Sequence, residues 1–369
     1  MRKLMRRMKS KIGRGKGTGG SQNLEFTVDI SHPRLWSRDP RETSAAASIF
    51  PMSLLYPDDS LTAVLRKIEL LIAEQIHQAH AVPSSAGAVR VGGIVCALPD
   101  LLVDPLSWPA ASGSLADCSL FQHSKVIPHS FAVIQYFLDT GDLILLPPHP
   151  SGPVSHSVLV LNCDDWIVEC TSYVLQVVSP YLVEVVESDP TYMAEVAGLA
   201  HVQSAFSQLI NQNVKLMNDQ LKHKMDKAAT DAIIELCVRQ FNEDILPNFD
   251  NDGRAWIVDY EMPRDFAAFR HGRFEFKNDK ILACFSPSLG IIQKMILCAV
   301  NRTRELGDLS PWFLLLAGPY AKSRFLREEL SRATLLQSRM HNLQPPTLIH
   351  SAEGENGLTL GALSHARGC

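Results

Sequence analysis

The chain has 369 residues, of which 46% are hydrophobic and 20% are charged, a composition typical of folded globular proteins and unlike that of disordered ones. Its formal charge of −4 is unevenly spread: the first 20 residues carry eight Lys/Arg and no acid, and the rest carries 27 Lys/Arg against 39 Asp/Glu. An acidic body argues against a nucleic-acid-binding surface.

Residues 1–23 are basic and then rich in glycine, which predicts a disordered leader. Because this stretch is rich in Arg and free of acid, a mitochondrial presequence stays open as an alternative. No signal-peptide core and no apolar run of about 18 residues is evident, so no membrane span is expected. The eight cysteines show no CxxC or other metal spacing. Buried, reduced thiols and a cytoplasmic location are therefore expected.

The first part of the body alternates between strand-like and helix-like segments. A strand is predicted over 24–30, a loop rich in Pro, Ser and Asp over 31–60, a helix over 61–80, a strand over 89–98, and a helix that starts after Pro128 and ends near Leu138.

The second part contains more and longer elements. Strands are predicted over 158–163, 167–178, 181–187 and 312–316, a β pair over 255–261 and 273–276, and helices over 192–221, 228–246, 278–305, 323–336 and 357–365. Strands and helices that alternate in this way indicate an α/β protein.

Three segments carry chemistry. The first, LNCDDWIVECTSY over 161–173, resembles the second phosphate-binding hairpin of the divergent fungal and animal branch of the seventy-kilodalton heat-shock protein family, V-D-C-G-G-G-T-V-D-L-T-S-Y. Cys163 and the Thr-Ser-Tyr ending match. Asn162 and Glu169 stand at the two aspartates, while Asp164, Asp165 and Trp166 replace three glycines, and Ile167 replaces the threonine.

The replaced glycines matter because backbone N–H groups must approach phosphate closely, at dihedral angles that glycine adopts most easily. Two carboxylates would instead face a polyphosphate, and like charges about 4 Å apart repel by roughly 4 kcal/mol at an effective dielectric constant near 20. The sequence therefore predicts that this hairpin has lost phosphate binding.

The second segment, LAGPYAKSRFL over 316–326, is similar to the family's adenosine-binding turn, V-G-G-Y-A-E-S-P-Y-L. Gly318, Tyr320 and Ser323 match, and Pro319 replaces the second glycine. Proline fixes φ and removes an N–H donor, so the turn is altered, although adenine could still rest on it.

The third segment, VIPHSFAV over 126–133, is placed like the family's S-E-P-E-A-A-A linker and lacks both glutamates. Two softer matches are Gly361, which resembles a glycine that packs against the nucleotide cleft, and Asp29, which could be the remnant of the first phosphate loop. The histidine pair His77 and His80 suits a metal by spacing, but no third ligand is evident.

The resemblance implies a two-lobed actin-like ATPase fold of α/β type with ribonuclease-H-like lobes. It divides the chain into the leader 1–23, an incomplete first lobe 24–155 and a second lobe 156–369, without the family's peptide-binding domain. The remnant nucleotide cleft would comprise Asp29, Asn162, Cys163, Glu169, Gly318, Tyr320, Ser323 and Gly361.

The function expected from this resemblance is that of a pseudo-ATPase, a non-catalytic interaction or scaffold module with a protein partner and with little or no nucleotide binding. No catalytic or metal-binding residue is assigned. Two alternatives stay open: a chaperone-like protein that binds ATP or ADP with Mg through altered loops, and a metabolite kinase of the same superfold. The sequence does not identify the partner or the oligomeric state.

Overall fold

The computed structural model describes residues 23–29, 34–38, 46–49, 70, 90–98, 100, 125–147, 149, 152, 154–179, 182–187, 192–221, 224–261, 271–305, 312–350 and 361. They form a mixed α/β protein, which confirms the fold class at this level. The chain divides into a first unit, Met1–Cys96 with Ala110–Lys125, and a second unit, Ala97–Pro109 with Val126–Cys369.

The first unit is built on a five-stranded sheet of order β3-β2-β1-β4-β5. Its strands are β1 (Asn23–Asp29), β2 (Arg34–Arg38), β3 (Ala46–Ile49), β4 (Arg90–Leu98) and β5 (Lys125–Pro128), of which β4 and β5 end within the second unit. The pairs β1–β2 and β2–β3 are antiparallel. The predicted loop over 31–60 is therefore wrong for β2 and β3.

The second unit is built on a six-stranded sheet of order β13-β12-β6-β7-β8, with β9 also paired to β7. Its strands are β6 (Ser155–Cys163), β7 (Val168–Ser179), β8 (Leu182–Glu187), β9 (Tyr192–Glu195), β12 (Trp312–Ala317) and β13 (Thr347–His350). Strand β7 runs antiparallel to β6, β8 and β9, whereas β12 runs parallel to both β6 and β13.

Five longer helices accompany this sheet among the described residues: α1 (His129–Thr140), α2 (Leu199–Gln220), α3 (Lys227–Gln240), α4 (Asn278–Glu305) and α5 (Arg324–Met340). A π-helical turn over Phe241–Ile245 continues α3, and β10 (Trp256–Glu261) pairs with β11 (His271–Phe276) in an antiparallel hairpin. The predicted helix over 192–221 is wrong at its start because Tyr192–Glu195 forms β9.

Capping hydrogen bonds form at the start of α3 and α5 and at the end of α1. Asp226 accepts a hydrogen bond from the Ala229 N–H at the start of α3 (2.7 Å), and Ser323 does the same for Leu326 at the start of α5 (3.3 Å). Gly141 follows α1 in the left-handed conformation and donates its N–H to the Leu138 carbonyl, as a C-terminal glycine cap should.

The main core lies between the six-stranded sheet and helices α2 to α5. It contains a cluster of aromatic rings: Phe206 stacks on Phe241 with ring centroids 4.1 Å apart, and the Phe249 ring lies 5.1 Å from that of Phe285 and 5.0 Å from that of Phe325. Helix α2 contributes one buried stripe at helical spacing, Leu199, Val202, Phe206, Ile210 and Val214. Its apolar face is therefore core.

Helix α4 bears on the expectation that no segment of the chain spans a membrane. Over Asn278–Asn301 it is long and apolar enough to cross a bilayer, with a mean hydropathy of 1.7, although only by length and composition. Ile281, Phe285, Ile292 and Ile296 on this helix are buried in the core. A core helix passes the same test, and no membrane span is established.

Candidate functional site

The hairpin between β6 and β7 is where the sequence resemblance is strongest. Asn162 lies opposite Glu169 in the register of the two strands, and Cys163 lies opposite Val168. Within the connecting turn, the Asp164 N–H donates to the Ile167 carbonyl (3.1 Å) and the Asp165 N–H donates to Asp164 Oδ1 (2.8 Å). Two N–H groups that could face a phosphate are thus already engaged.

The same turn is held against the start of α2. The Gly198, Leu199 and Ala200 N–H groups donate to the carbonyls of Trp166 (3.1 Å), Asp164 (3.0 Å) and Asp165 (2.6 Å), respectively. The first N–H groups of a helix have no partner within the helix and often bind anions. In this protein the carbonyl oxygens of the hairpin turn accept these hydrogen bonds in place of an anion. The approach is close enough that a Cβ at Gly198 would collide with the backbone of Asp164 and Asp165.

The turn that follows β12 adjoins the end of β6. Gly318 has φ of 90° and ψ of 166°, a conformation that is essentially restricted to glycine. A Cβ at Gly318 would overlap the Cys163 carbonyl oxygen and would lie 3.1 Å from Asn162 Oδ1. That oxygen is buried and has no hydrogen-bond partner among the described residues. Three predicted cleft residues, Asn162, Cys163 and Gly318, therefore meet.

Two other predicted residues of this turn have structural contacts. Tyr320 is buried within the main core, where its ring lies 6.5 Å from that of Phe285, and burial raises the pKa of its phenol. Ser323 is buried and caps α5 through Leu326. Nucleotide contact by either residue stays a prediction.

Two more of the predicted residues, Gly361 and Asp29, lie elsewhere. Gly361 is buried against α1, where a Cβ would collide with the Ala132 carbonyl oxygen. Close packing explains the glycine at this position. Asp29 is described only as the last residue of β1, opposite Arg34 in register, and it belongs to the first unit. Its assignment to a cleft also stays a prediction.

A buried polar network that the sequence did not predict centres on Glu169. Its Oε2 lies 2.8 Å from His129 Nδ1 and accepts from Asn162 Nδ2 at 3.4 Å. Its Oε1 accepts from the Asp100 N–H at 3.1 Å and from the Tyr192 hydroxyl at 3.3 Å. Glu169, predicted as a cofactor contact, therefore joins β6, β7, β9 and the start of α1.

Asp100 is the second carboxylate of this network. It accepts hydrogen bonds from the Ser130 N–H (3.0 Å), the Ser130 hydroxyl and the Thr171 hydroxyl (2.5 Å), and Ser130 Oγ also lies 2.5 Å from the Tyr173 hydroxyl. Burial and the nearby Glu169 raise the pKa of Asp100, and its hydrogen bonds only partly oppose this effect. The network is enclosed, since Asp100, Ser130 and Glu169 are all buried.

The thiols offer no obvious reactive group within the part of the chain that the structure describes. Cys163, Cys170, Cys237 and Cys284 are free and buried, as predicted, whereas Cys298 is exposed. Burial raises the pKa of Cys237 to about 12 and that of Cys284 to about 11, so both stay protonated and poorly nucleophilic at neutral pH. The described residues also contain no group of three His, Cys, Asp or Glu side chains that could hold a metal ion. His77 and His80 lie outside the described residues.

No protein-family model matches the chain, and no curated protein matches it. The resemblance to the heat-shock ATPases is therefore carried by the motif residues alone.

Proposed function

We propose that this chain is a degenerate relative of the actin-like heat-shock ATPases and acts as a non-catalytic interaction or scaffold module. The turn between β6 and β7 carries the proposal. Its Asp164 and Asp165 N–H groups are engaged within the turn, and its carbonyls take the N–H groups at the start of α2. The residues present therefore do not fit a bound polyphosphate.

The strand order supports the fold that this proposal requires. The first sheet reads β3-β2-β1-β4-β5, and the second reads β8-β7-β6-β12-β13 in the same direction. In each sheet the first three strands in sequence form an antiparallel set. A repeated order of this kind favours two lobes of one design, as in an actin-like fold.

One observation favours the alternative of a nucleotide-binding protein. Gly318 keeps a glycine-specific conformation beside Asn162 and Cys163, so one side of an adenosine site could persist without its second glycine. Weak binding of adenosine or ADP without hydrolysis would fit this geometry better than binding of ATP. The metabolite-kinase alternative lacks such support.

Isothermal titration of the full chain with Mg-ATP and Mg-ADP, paired with a phosphate-release assay, tests the proposal. We expect no saturable heat with Mg-ATP and no phosphate release above a matched blank. Release that persists after a second purification and is lost on Glu169→Gln would refute the proposal. Saturable Mg-ADP binding without turnover would instead favour the second candidate.

A further inference from the structure

His156 is a buried imidazole at the opposite end of β6 from Asn162 and Cys163. Its Nε2 atom accepts a hydrogen bond from the Leu146 N–H at 3.1 Å, whereas the Leu146 carbonyl oxygen lies at 3.5 Å from the same atom. The shorter contact is a normal hydrogen bond and the longer one is not, so we assign a neutral ring with no proton on Nε2. The other ring nitrogen, Nδ1, is buried and has no hydrogen-bond partner among the described residues.

This hydrogen bond ties the connection between α1 and β6 to the sheet. We call residues 141–147 the α1–β6 segment. Its first half is anchored separately, because the Leu143 side chain is buried and the Leu143 N–H donates to the Phe137 carbonyl at 2.9 Å. In its second half, Ile144 is 74% exposed and Leu146 is 51% exposed. Among the described contacts, the bond to His156 is the one that fastens this second half to β6.

The side chains nearest to His156 are apolar. Leu175 of β7 stands opposite it in register, and the Phe313 ring of β12 lies 6.0 Å from the imidazole. Asp139 and Asp142, the acids closest to it in the α1–β6 connection, are exposed. The titratable groups on the elements around it, in the part of the chain that the structure describes, are His129, Tyr136 and Asp139 on α1, Asp142 and His149 in the connection, Glu169 and Tyr173 on β7, and His350 on β13.

Protonation of His156 is incompatible with this arrangement. An imidazolium donates from both nitrogens, so its Nε2–H would face the Leu146 N–H and its Nδ1–H would be buried without an acceptor. Burial lowers the pKa of His156, and its contact with the Leu146 backbone only partly opposes this effect. A charged ring therefore requires that Leu146 move away and admit water.

We propose that His156 and the Leu146 N–H form an acid-sensitive latch, which holds residues 144–147 on β6 while the imidazole is neutral and releases them when it is protonated. Release would give solvent access to His156 and to the neighbouring Phe313, both of which are buried in the closed state. The latch goes beyond the proposed function and does not depend on nucleotide binding.

The sign of the pH effect follows from the lowered pKa in the folded protein. A histidine in the unfolded chain has a pKa of about 6.5. The stability that the closed latch contributes is therefore fully present above about pH 6.5 and is lost as the pH falls through the folded pKa.

Hydrogen exchange on the full chain, read by mass spectrometry and corrected for the intrinsic pH dependence of exchange, tests the latch. We expect protection of the Leu146 N–H to fall at least about tenfold between about pH 7.5 and about pH 5. The Gly141 and Leu143 N–H groups, which donate to carbonyls of α1, should stay protected and provide an internal control.

Three variants separate the latch from other effects of acid. His156→Gln supplies an amide oxygen that can accept from the Leu146 N–H but does not titrate, so protection should be the same at both pH values. His156→Phe removes the acceptor, and the Leu146 N–H should exchange freely at both. His201→Gln, at an exposed position on α2, removes another histidine and should behave like the parent.

The proposal is overturned if protection of the Leu146 N–H in the parent does not change with pH, or if it falls equally in His156→Gln. Circular dichroism melting curves show whether each variant is folded. Should both His156 variants fail to fold, nuclear magnetic resonance of the parent with ¹³C-labelled histidine decides. A histidine signal must then titrate over the same pH range in which protection is lost, and the absence of such a signal refutes the latch.

Discussion

Gly318→Ala is expected to destabilise the second unit strongly, because two independent costs meet at this residue. Its φ of 90° is strained for any residue with a Cβ, at about 1–3 kcal/mol. The new Cβ would also overlap the Cys163 carbonyl, and forcing atoms into a packed interior costs about 1–3 kcal/mol more. The sum, roughly 2–6 kcal/mol, corresponds to a fall in melting temperature of roughly 5–20 °C for a domain of this size.

Two other glycines provide graded controls. Gly141 has φ of 75° with no atom near its would-be Cβ, so Gly141→Ala should cost only the backbone term of about 1–2 kcal/mol. Gly290 lies within α4, also in open space, and Gly290→Ala should stabilise by about 0.5–1 kcal/mol. Thermal melts monitored by circular dichroism should therefore rank the variants Gly290→Ala, parent, Gly141→Ala and Gly318→Ala from highest to lowest.

The comparison of Gly318→Ala with Gly141→Ala decides the argument. If the two variants melt at the same temperature, the β12 turn does not press on the end of β6. The close contact of Gly318 with Cys163 and Asn162 would then be refuted. The argument that part of the adenosine-binding turn survives would be refuted with it.

Three further predictions follow from the same part of the molecule. Gly198→Ala should lower the melting temperature and increase hydrogen exchange at the Leu199 and Ala200 N–H groups, because a Cβ would push the hairpin turn off α2; unchanged exchange would contradict the contact. The pKa of Asp100 is raised above its usual 3.8 in the folded protein. The free energy of unfolding of the parent should therefore fall as the pH rises from about 4 through the folded pKa. Urea unfolding at a series of pH values should show a weaker pH dependence for Asp100→Asn than for the parent. Replacing residues 164–167 by Gly-Gly-Gly-Thr should improve the affinity for Mg-ADP, and a tenfold gain in affinity needs only about 1.4 kcal/mol. Each introduced glycine should lower the free energy of unfolding by about 0.5–1 kcal/mol. A folded variant with no gain in affinity would refute the alignment of this hairpin with the family's phosphate-binding hairpin.

The sequence predicted the elements whose signals are local. The predicted strands over 158–163 and 167–178 and the predicted helices over 278–305 and 323–336 agree with β6, β7, α4 and α5 to within a few residues, because the apolar pattern of each element lies within the element itself. Strand β9 was missed because Tyr192–Glu195 is compatible with a helix, and its pairing with Val168–Thr171 of β7 decides its conformation. Strands β2 and β13 are short and depend on their neighbours in the same way.

The polar network shows why the candidate site was only partly predictable. The hairpin motif identified Asn162, Cys163 and Glu169 correctly as neighbours, since their register follows from one turn. Asp100 contacts Glu169 across 69 residues, and His129 contacts it across 40. A single sequence carries no local signal for such contacts. His129 was therefore read only as a lost glutamate, although it forms a new pair with Glu169.

The position of β12 has a consequence for synthesis of the chain. It lies beside β6 in the finished sheet, and Trp312 follows its register partner Ser157 by 155 residues. At about 5–20 residues per second, a ribosome needs roughly 8–30 s to make the intervening chain. Throughout that interval β6, which is buried along nearly its whole length in the native state, presents an unpaired apolar edge. We therefore expect this edge of β6 to be open to pairing with other chains until β12 emerges.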